Sequence, residues 1–345
     1  MKAISLFSGC GGDSLGMTNA GINVTHYSEL KETFCLSHDD NLKHCTLIEN
    51  DITKIKDEDF KNIKVDLIFA GFPCQSFSNG GKKNPDDPRG QLYKEFVRAT
   101  KIIKPKYIIG ENVKGLLTRK TNNDEKFLDI IISSFNEIGY SCIFKVFNTS
   151  KFNVPQVRER LIILGKRNDI SKELEFPNEL TNIPNLRNII EFSLDGAIKV
   201  PDDMFDNIPE ECIIKNINDK TLPDESNSHP FLIRKVQERD IIYNEKLFKY
   251  NISFGKRLSP NHAEIIDIRK PSKTIICTYD HQPRLFVPVQ NFNGKFLRCL
   301  TVNELKQIQG FPKSYILHGN TKEQIIQIGN AVPPPLITQI CNTLK

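Results

Sequence analysis

Gly71-Phe72-Pro73-Cys74-Gln75-Ser76-Phe77-Ser78 follows at once on residues 65–70 (VDLIFA), a short run that is apolar except for Asp66. A run of that length and composition predicts a buried parallel strand. A glycine, a proline and a cysteine then stand at its carboxyl end, the edge at which open α/β sheets bind ligands. A thiol held in a tight turn there is placed to act as a nucleophile. The plainer alternative is a buried Pro-Cys turn, since free cysteines commonly serve as small core residues. From the octapeptide alone the two readings stand level. The loop that follows, 79–90, has Gly80, Gly81 and Gly90 as hinges and Lys82, Lys83 and Arg89 as cations, which suits a lid closing on an anion.

Toward the N-terminus, a strand at 2–7 runs straight into Ser8-Gly9-Cys10-Gly11-Gly12, and a helix opens at Asp13. Strand, glycine turn and helix start form a nucleotide-type cradle, because glycines let backbone approach a ligand and the helix offers free N–H groups. The spacing departs from GxGxxG, so the dinucleotide fingerprint is not met. A second strand at 23–28 ends in Glu29, where an acid can hold ribose hydroxyls. A third ends near 49–52, where Asp51 can accept from an adenine amino group while Ile52 packs on the ring. Each acid alone is more often a solvated loop residue; acids in register after successive strands are harder to dismiss.

Toward the C-terminus, 91–104 has helical spacing of Leu92, Phe96, Ala99 and Ile103. A strand at 106–110 then ends in Glu111-Asn112-Val113, which brings Glu111 to the same edge as Cys74. Glu111 is either an ion-pair partner of a lysine or a carboxyl that hydrogen-bonds or protonates a bound base. A helix at 124–138 and a strand at 140–147 lead to Gln156-Val157-Arg158-Glu159-Arg160 and the apolar run LIILG. Strand alternation puts Arg158 and Arg160 on one face. There they suit phosphate or carbonyl oxygens, or form a surface Arg-Glu-Arg ladder.

The 345 residues allow one large domain and a smaller one. No apolar run approaches the ~20 residues of a membrane span, and the N-terminus lacks a signal-peptide core. Nine cysteines without a CxxC pair argue against a disulfide framework and against a zinc site. A reducing, intracellular setting is expected, cytoplasmic in a bacterium. Residues 1–169 carry 25 cations and 21 acids, 170–269 carry 13 and 18, and 270–345 carry 9 and 3. Basic ends fit nucleic acid, weakly when taken alone. Prolines, asparagines and acids are scattered through 170–268 without periodicity, which predicts a separate, irregular domain. Within it, 234–257 interleaves cations with Tyr243, Phe248, Tyr250 and Phe254, either as a nucleic-acid face or as a solvated amphipathic surface. DNA contact is expected to concentrate there, with charge reversal at Lys256 or Arg257 weakening DNA binding and the same change at Asp202 or Asp203 doing little, or strengthening non-specific binding. Thr301 and Glu304 have capping-box spacing, and Gly329-Asn330-Ala331-Val332-Pro333-Pro334 precedes a last helix.

In the order SLFSGCGG, GFPCQSFS, ENV, QVRER, RKPSKT, LTVNELKQIQGFP and IGNAVPPP, the chain resembles the cytosine-C5 DNA methyltransferases of restriction-modification systems. The resemblance covers nearly everything except 170–268, and the motif set is highly specific. It implies an α/β fold: a Rossmann-like S-adenosylmethionine-dependent methyltransferase domain with a mostly parallel sheet, plus a smaller irregular target-recognition domain. The corresponding division is 1–169 catalytic, 170–268 target recognition, and 269–345 a hinge and return to the catalytic domain. Carried over by motif, Phe7, Gly9, Gly11 and Gly12 hold the methionine end of the donor. Glu29 takes the ribose and Asp51 with Ile52 the adenine, with Pro73, Leu92, Asn330 and Val332 completing the pocket. Cys74 is the nucleophile, Glu111 the partner of cytosine N3 and its amino group, and Arg158 with Arg160 contact O2 and backbone. Ser78, Lys82, Arg89, Lys256 and Arg257 are candidate DNA contacts. One departure is Ser5, where the family usually has Asp.

The implied chemistry agrees with the residue types. Cytosine C5 is a poor nucleophile until a thiolate adds to C6, and a group on N3 drains charge from the ring. The base must leave the duplex for this. Double-stranded DNA is the implied substrate and a separate restriction endonuclease the implied companion, with the enzyme a monomer and no membrane involved. Three rivals remain: a tRNA cytosine-C5 methyltransferase, a DNA-binding relative without catalysis, and a nicotinamide oxidoreductase.

Overall fold

The computed structural model describes residues 1–73, 91–259 and 261–345. The first part of the chain alternates strand and helix. Its strands and helices are β1 (Lys2–Leu6), α1 (Gly12–Asn19), β2 (Asn23–Ser28), α2 (Glu32–Asn41), β3 (Thr46–Leu47), α3 (Asp57–Asn62), β4 (Leu67–Ala70), α4 (Tyr93–Ile103), β5 (Tyr107–Val113), α5 (Phe127–Glu137), β6 (Tyr140–Asn148), β7 (Gln156–Val157) and β8 (Glu159–Arg167). Seven of the strands make one sheet in the order β3-β2-β1-β4-β5-β8-β6. β1 to β5 pair in parallel, and β8 runs antiparallel to both β5 and β6. The mostly parallel α/β sheet is the one expected from sequence. Strand order reverses between β1 and β4, so a cleft opens at their carboxyl ends. The glycine turn after β1 and the Gly71-Phe72-Pro73 turn after β4 both lie at that cleft.

Buried side chains cover both faces of this sheet. Leu67, Phe69, Tyr107, Ile109, Ile162 and Leu164 pack with Leu336, Ile337 and Ile340 on one side. Ile68, Ile108, Leu161 and Ile163 pack with Phe96, Ile131 and Phe135 on the other. Continuous runs such as LIFA and LIIL are buried on both faces because helices lie on each.

The second part contains β9 (Ile198–Lys199), β10 (Ile214–Asn216), α6 (Pro230–Gln237), β11 (Arg239–Tyr243), β12 (Lys246–Tyr250), β13 (Ile252–Phe254), β14 (Ala263–Ile265), β15 (Ser272–Lys273), β16 (Leu285–Asn291), β17 (Gly294–Cys299), α7 (Val302–Ile308), α8 (Thr321–Asn330) and α9 (Pro334–Asn342). A six-stranded sheet has the path β13-β14-β16-β17-β9, with β10 also on β16. This sheet and its core run past Ile268, from Leu186 to Ile328. The acidic and basic halves of 170–268 therefore share one core. Arg298 and Glu304 are buried in it as an ion pair at 2.7 Å, and Glu304 also closes the capping box with Thr301. Among the described residues, no helix is long and apolar enough to cross a membrane.

Candidate active site

The glycine turn is built for close approach. Phe7 and Gly9 both take left-handed φ, 58° each, and no described atom lies within 4 Å of where a Cβ on Gly9 would stand. Gly12 is the opposite case: a Cβ there would lie 2.3 Å from the Val332 carbonyl oxygen, so only glycine lets the loop before α9 floor the turn. Glu29 holds the turn from β2. Its carboxylate accepts from the Gly9 N–H and the Lys31 N–H, each at 2.9 Å, and burial lifts its pKa. Ser8 Oγ is buried beside it without a hydrogen-bond partner among the described residues. Asp51 caps the short helix at Ile52–Lys54 through Oδ1, which accepts from Thr53 N–H at 3.0 Å and Thr53 Oγ1 at 2.7 Å. Ile52 is buried in the core, which leaves it only an edge to offer a ring. Pro73 and Leu92 are half-buried, Val332 is buried and Asn330 is exposed.

Behind the turn, Ser5 donates its hydroxyl to the buried Asp13 carboxyl. Desolvation is the main reason that Asp13 rises from 3.8 to about 7. The folded state thus keeps a proton that the unfolded chain gives up near pH 4. The stability this contributes is whole below pH 4 and lost as pH rises through 7, about 4 kcal/mol at most. Asp13→Asn, which stays neutral, is expected to melt a few degrees above wild type at pH 8 and to lose that advantage at pH 4. Melting curves across this range check it.

Glu111 lies inside β5 rather than beyond its end, opposite Ile162 of β8. Its carboxylate takes Arg160 Nε at 2.7 Å, and a Cβ on Gly71 would stand 3.8 Å from Glu111 Oε2. The next residue, Asn112, donates its side-chain N–H to the Phe72 carbonyl at 3.2 Å. Through these contacts ENV grips the turn that leads to Cys74. Burial raises the Glu111 pKa, against the pull of Arg160 and then Arg158.

The two arginines do different jobs, unlike the paired face expected from strand alternation. The chain breaks at Arg158, between β7 and β8. Arg158 is buried, and its guanidinium donates to the carbonyls of Ile275 at 2.8 Å and Gly329 at 2.5 Å. Gln156 adds to this knot: its amide N–H donates to Gln309 Oε1 at 2.6 Å, and its oxygen accepts from Ile275 N–H at 2.9 Å. Gln309 in turn donates to the Ala331 carbonyl at 2.5 Å. QVR, QGFP and GNAV are thus tied together, and Arg160 forms the ion pair with Glu111. Cys74, Ser78, Lys82 and Arg89 lie outside the described residues.

The profile of the C-5 cytosine-specific DNA methylases matches residues 1–345. The chain belongs to that family. Its enzyme class is DNA (cytosine-5-)-methyltransferase. The chain is 30% identical to the type II methyltransferase M1.HphI of Haemophilus parahaemolyticus, over 99% of its own length and 86% of the relative's. It is 31% identical to the type II methyltransferase M.FnuDI of Fusobacterium nucleatum, over 100% and 94%. Its fold is that of a Spodoptera frugiperda DNMT2 mutant, with a TM-score of 0.69 at 19% identity over 99% of both chains.

A cleft of about 560 Å³ is lined by Val157, Thr274 and Ile276 on one side and by Gly255, Arg257 and Arg284 on another. Lys256 and Arg257 are exposed and join no ion pair among the described residues. Three features escaped the sequence reading. Leu30, directly after Glu29, is 66% exposed, and an apolar residue after the acid was the available signal. Gln156 and Gln309 had no signal, because their partnership spans 153 residues.

Proposed function

We propose that the chain transfers a methyl group from S-adenosylmethionine to C5 of a cytosine flipped out of double-stranded DNA, through a covalent bond between Cys74 and C6. The observation that carries this reading is the buried Glu111 carboxyl, braced by Arg160 at 2.7 Å beside the turn that leads to Cys74. The open space at Gly9, the unpartnered Ser8 hydroxyl and the fixed Glu29 carboxylate fit a donor with amino-acid and ribose parts. Phe7, Gly9, Gly11 and Gly12 would hold its methionine end, Glu29 its ribose and Asp51 its adenine. Bound there, S-adenosylmethionine supplies an electrophilic methyl group.

The chain's own residues do the rest. Cys74 adds as thiolate to C6, which makes C5 nucleophilic. Glu111 in its protonated form donates to N3 and takes up the charge that develops there. Arg160 holds Glu111 in place, and Arg158 acts one step back by fixing the loops that frame the pocket. After methylation, water takes the C5 proton, Glu111 recovers its proton from N3, and Cys74 leaves as thiolate, which restores the aromatic ring. GFPCQSFS lacks the second proline before the cysteine and the threonine after it that mark the tRNA branch of this family, and this, with the long segment around the second sheet, supports DNA over tRNA. The names of the type II relatives support a modification role beside a separate endonuclease.

Bisulfite sequencing of a plasmid from cells expressing the chain tests the reading. Cytosines of one short sequence are expected to resist conversion. No resistant cytosine in DNA, or resistance confined to tRNA, would overturn it. Charge reversal at Lys256 and Arg257 is expected to weaken DNA binding and lower the log–log salt slope by about 0.9 per lost phosphate contact. Titrations at several salt concentrations read that slope.

A further inference from the structure

β11 and β12 form a two-stranded ribbon that belongs to neither large sheet. The hairpin turns on Asn244 and Glu245, both left-handed at φ 48° and 63°, the two-residue turn whose twist matches a right-handed ribbon. Its two faces differ in chemistry. On the inner face Phe248 meets the His262 ring edge-on at 6.4 Å. Tyr250 is buried, donates its hydroxyl to Asp203 Oδ1 at 2.6 Å, and lies under the Arg239 guanidinium at 4.3 Å. On the outer face Ile242 and Leu247 stand directly opposite each other, 73% and 66% exposed. The segment that carries them has more exposed cations than acids: Arg234, Arg239, Lys246, Lys249, Lys256 and Arg257 are exposed against Asp240 and Glu245, while Lys235 is buried beside Glu238.

A hydrophobic pair of this size standing in water, on a narrow ribbon within a segment whose exposed charge is mostly positive, is matched by one surface above others. The major groove admits a two-stranded ribbon, is lined by phosphates, and exposes apolar groups only at the C5-methyl of thymine. We propose that this ribbon enters the major groove and that Ile242 and Leu247 cover a thymine methyl within the recognition sequence. The inference rests on the DNA substrate argued above and adds which element reads sequence and which base feature it reads. A second copy of the chain fits less well, because two like-charged segments would meet around a contact of two side chains, far below the area of a stable dimer. Asp203 has a part in this: by taking Lys249 and the Tyr250 hydroxyl it fixes the base of the ribbon.

The test uses the full chain and its Ile242→Ser/Leu247→Ser variant. Both side chains are exposed, so the variant is expected to melt with wild type and to bind S-adenosylmethionine equally. Substrates are duplexes carrying the bisulfite-mapped sequence, with each thymine replaced singly by deoxyuridine, which removes only the methyl. Wild type is expected to lose about tenfold in kcat/KM at one thymine position, the scale of one apolar group in a fitted site. The double variant should be as slow on thymine as wild type is on uracil there, with no further loss on replacement. A full uracil penalty in the variant, or a recognition sequence without thymine, overturns the proposal. So does a variant of unchanged selectivity whose self-association falls in sedimentation. If wild type methylates no DNA at all, the failure lies with the substrate reading beneath.

Discussion

Cys74→Ser is expected to reduce methyl transfer by at least about four orders of magnitude, the scale on which loss of a nucleophile acts. S-adenosylmethionine binding should stay within a few-fold of wild type. The argument starts from the turn. β4 delivers the chain to Gly71, next to the Glu111 carboxyl, and Asn112 fixes the Phe72 carbonyl. Cys74 follows two residues later in sequence, while the groups that suit the donor, Phe7 to Gly12 and Glu29, come from β1 and β2. A thiol near its ordinary pKa of ~8.5 supplies some thiolate at neutral pH; a serine hydroxyl supplies essentially no alkoxide. The same mechanism makes 5-fluorocytosine a trap, since fluorine cannot leave as the C5 proton does. Wild type with S-adenosylmethionine should form a denaturant-stable adduct on such DNA, and the serine enzyme none. A serine enzyme that turns over within tenfold of wild type would end the assignment of Cys74.

For Glu111→Gln the expected result is a 10²- to 10⁴-fold loss in kcat, the usual share of general acid catalysis, with DNA affinity changed only a few-fold. The amide still reaches the edge of the base and cannot give up a proton to N3. The pH profile separates this role from a structural one. Burial lifts the Glu111 pKa, so the carboxyl keeps its proton to higher pH than an exposed glutamate does. The rate term that needs the protonated acid is full below that pKa and falls as pH rises through it. Arg160 pulls in the opposite direction, so Arg160→Gln should move the fall to higher pH. A Glu111→Gln enzyme with wild-type turnover and an unshifted profile would make Glu111 a simple partner of Arg160.

The sequence made the first sheet readable because β4, β5 and β8 hold continuous apolar runs, and β1, β2 and β4 lead into a glycine or an acid at the cleft. Glu29 and the glycine turn came out where alternation of strand and helix puts them, while β5 runs on past Glu111 to Val113. Arg158 did not come out as expected. Strand alternation predicts a shared face with Arg160, but the chain breaks between β7 and β8, and the partners that turn Arg158 inward, Ile275 and Gly329, lie 117 and 171 residues away. The second sheet was equally hard to see. Its strands β9, β10, β13 and β14 have two or three residues each, too short for any periodicity. Several pair in parallel with strands distant in sequence, so scattered prolines and acids hid a continuous core. The partners of Asp203 were hidden for the same reason, since Lys249 and Tyr250 reach it only after folding.

The Val332 carbonyl that floors Gly12 has a consequence in time. The first sheet is complete once β8 ends at Arg167, and the loop beneath the glycine turn comes 165 residues later. At about 5–20 residues per second, a ribosome needs on the order of ten to thirty seconds to cover that distance. Throughout that interval the nascent chain holds a cradle without a floor, with Arg158 still lacking the Gly329 carbonyl. The segment made meanwhile is the one that carries the ribbon. On the proposed reading, synthesis delivers the ribbon at 239–250 before the loop that floors the glycine turn, so the segment proposed to read sequence is made before the proposed donor site can close.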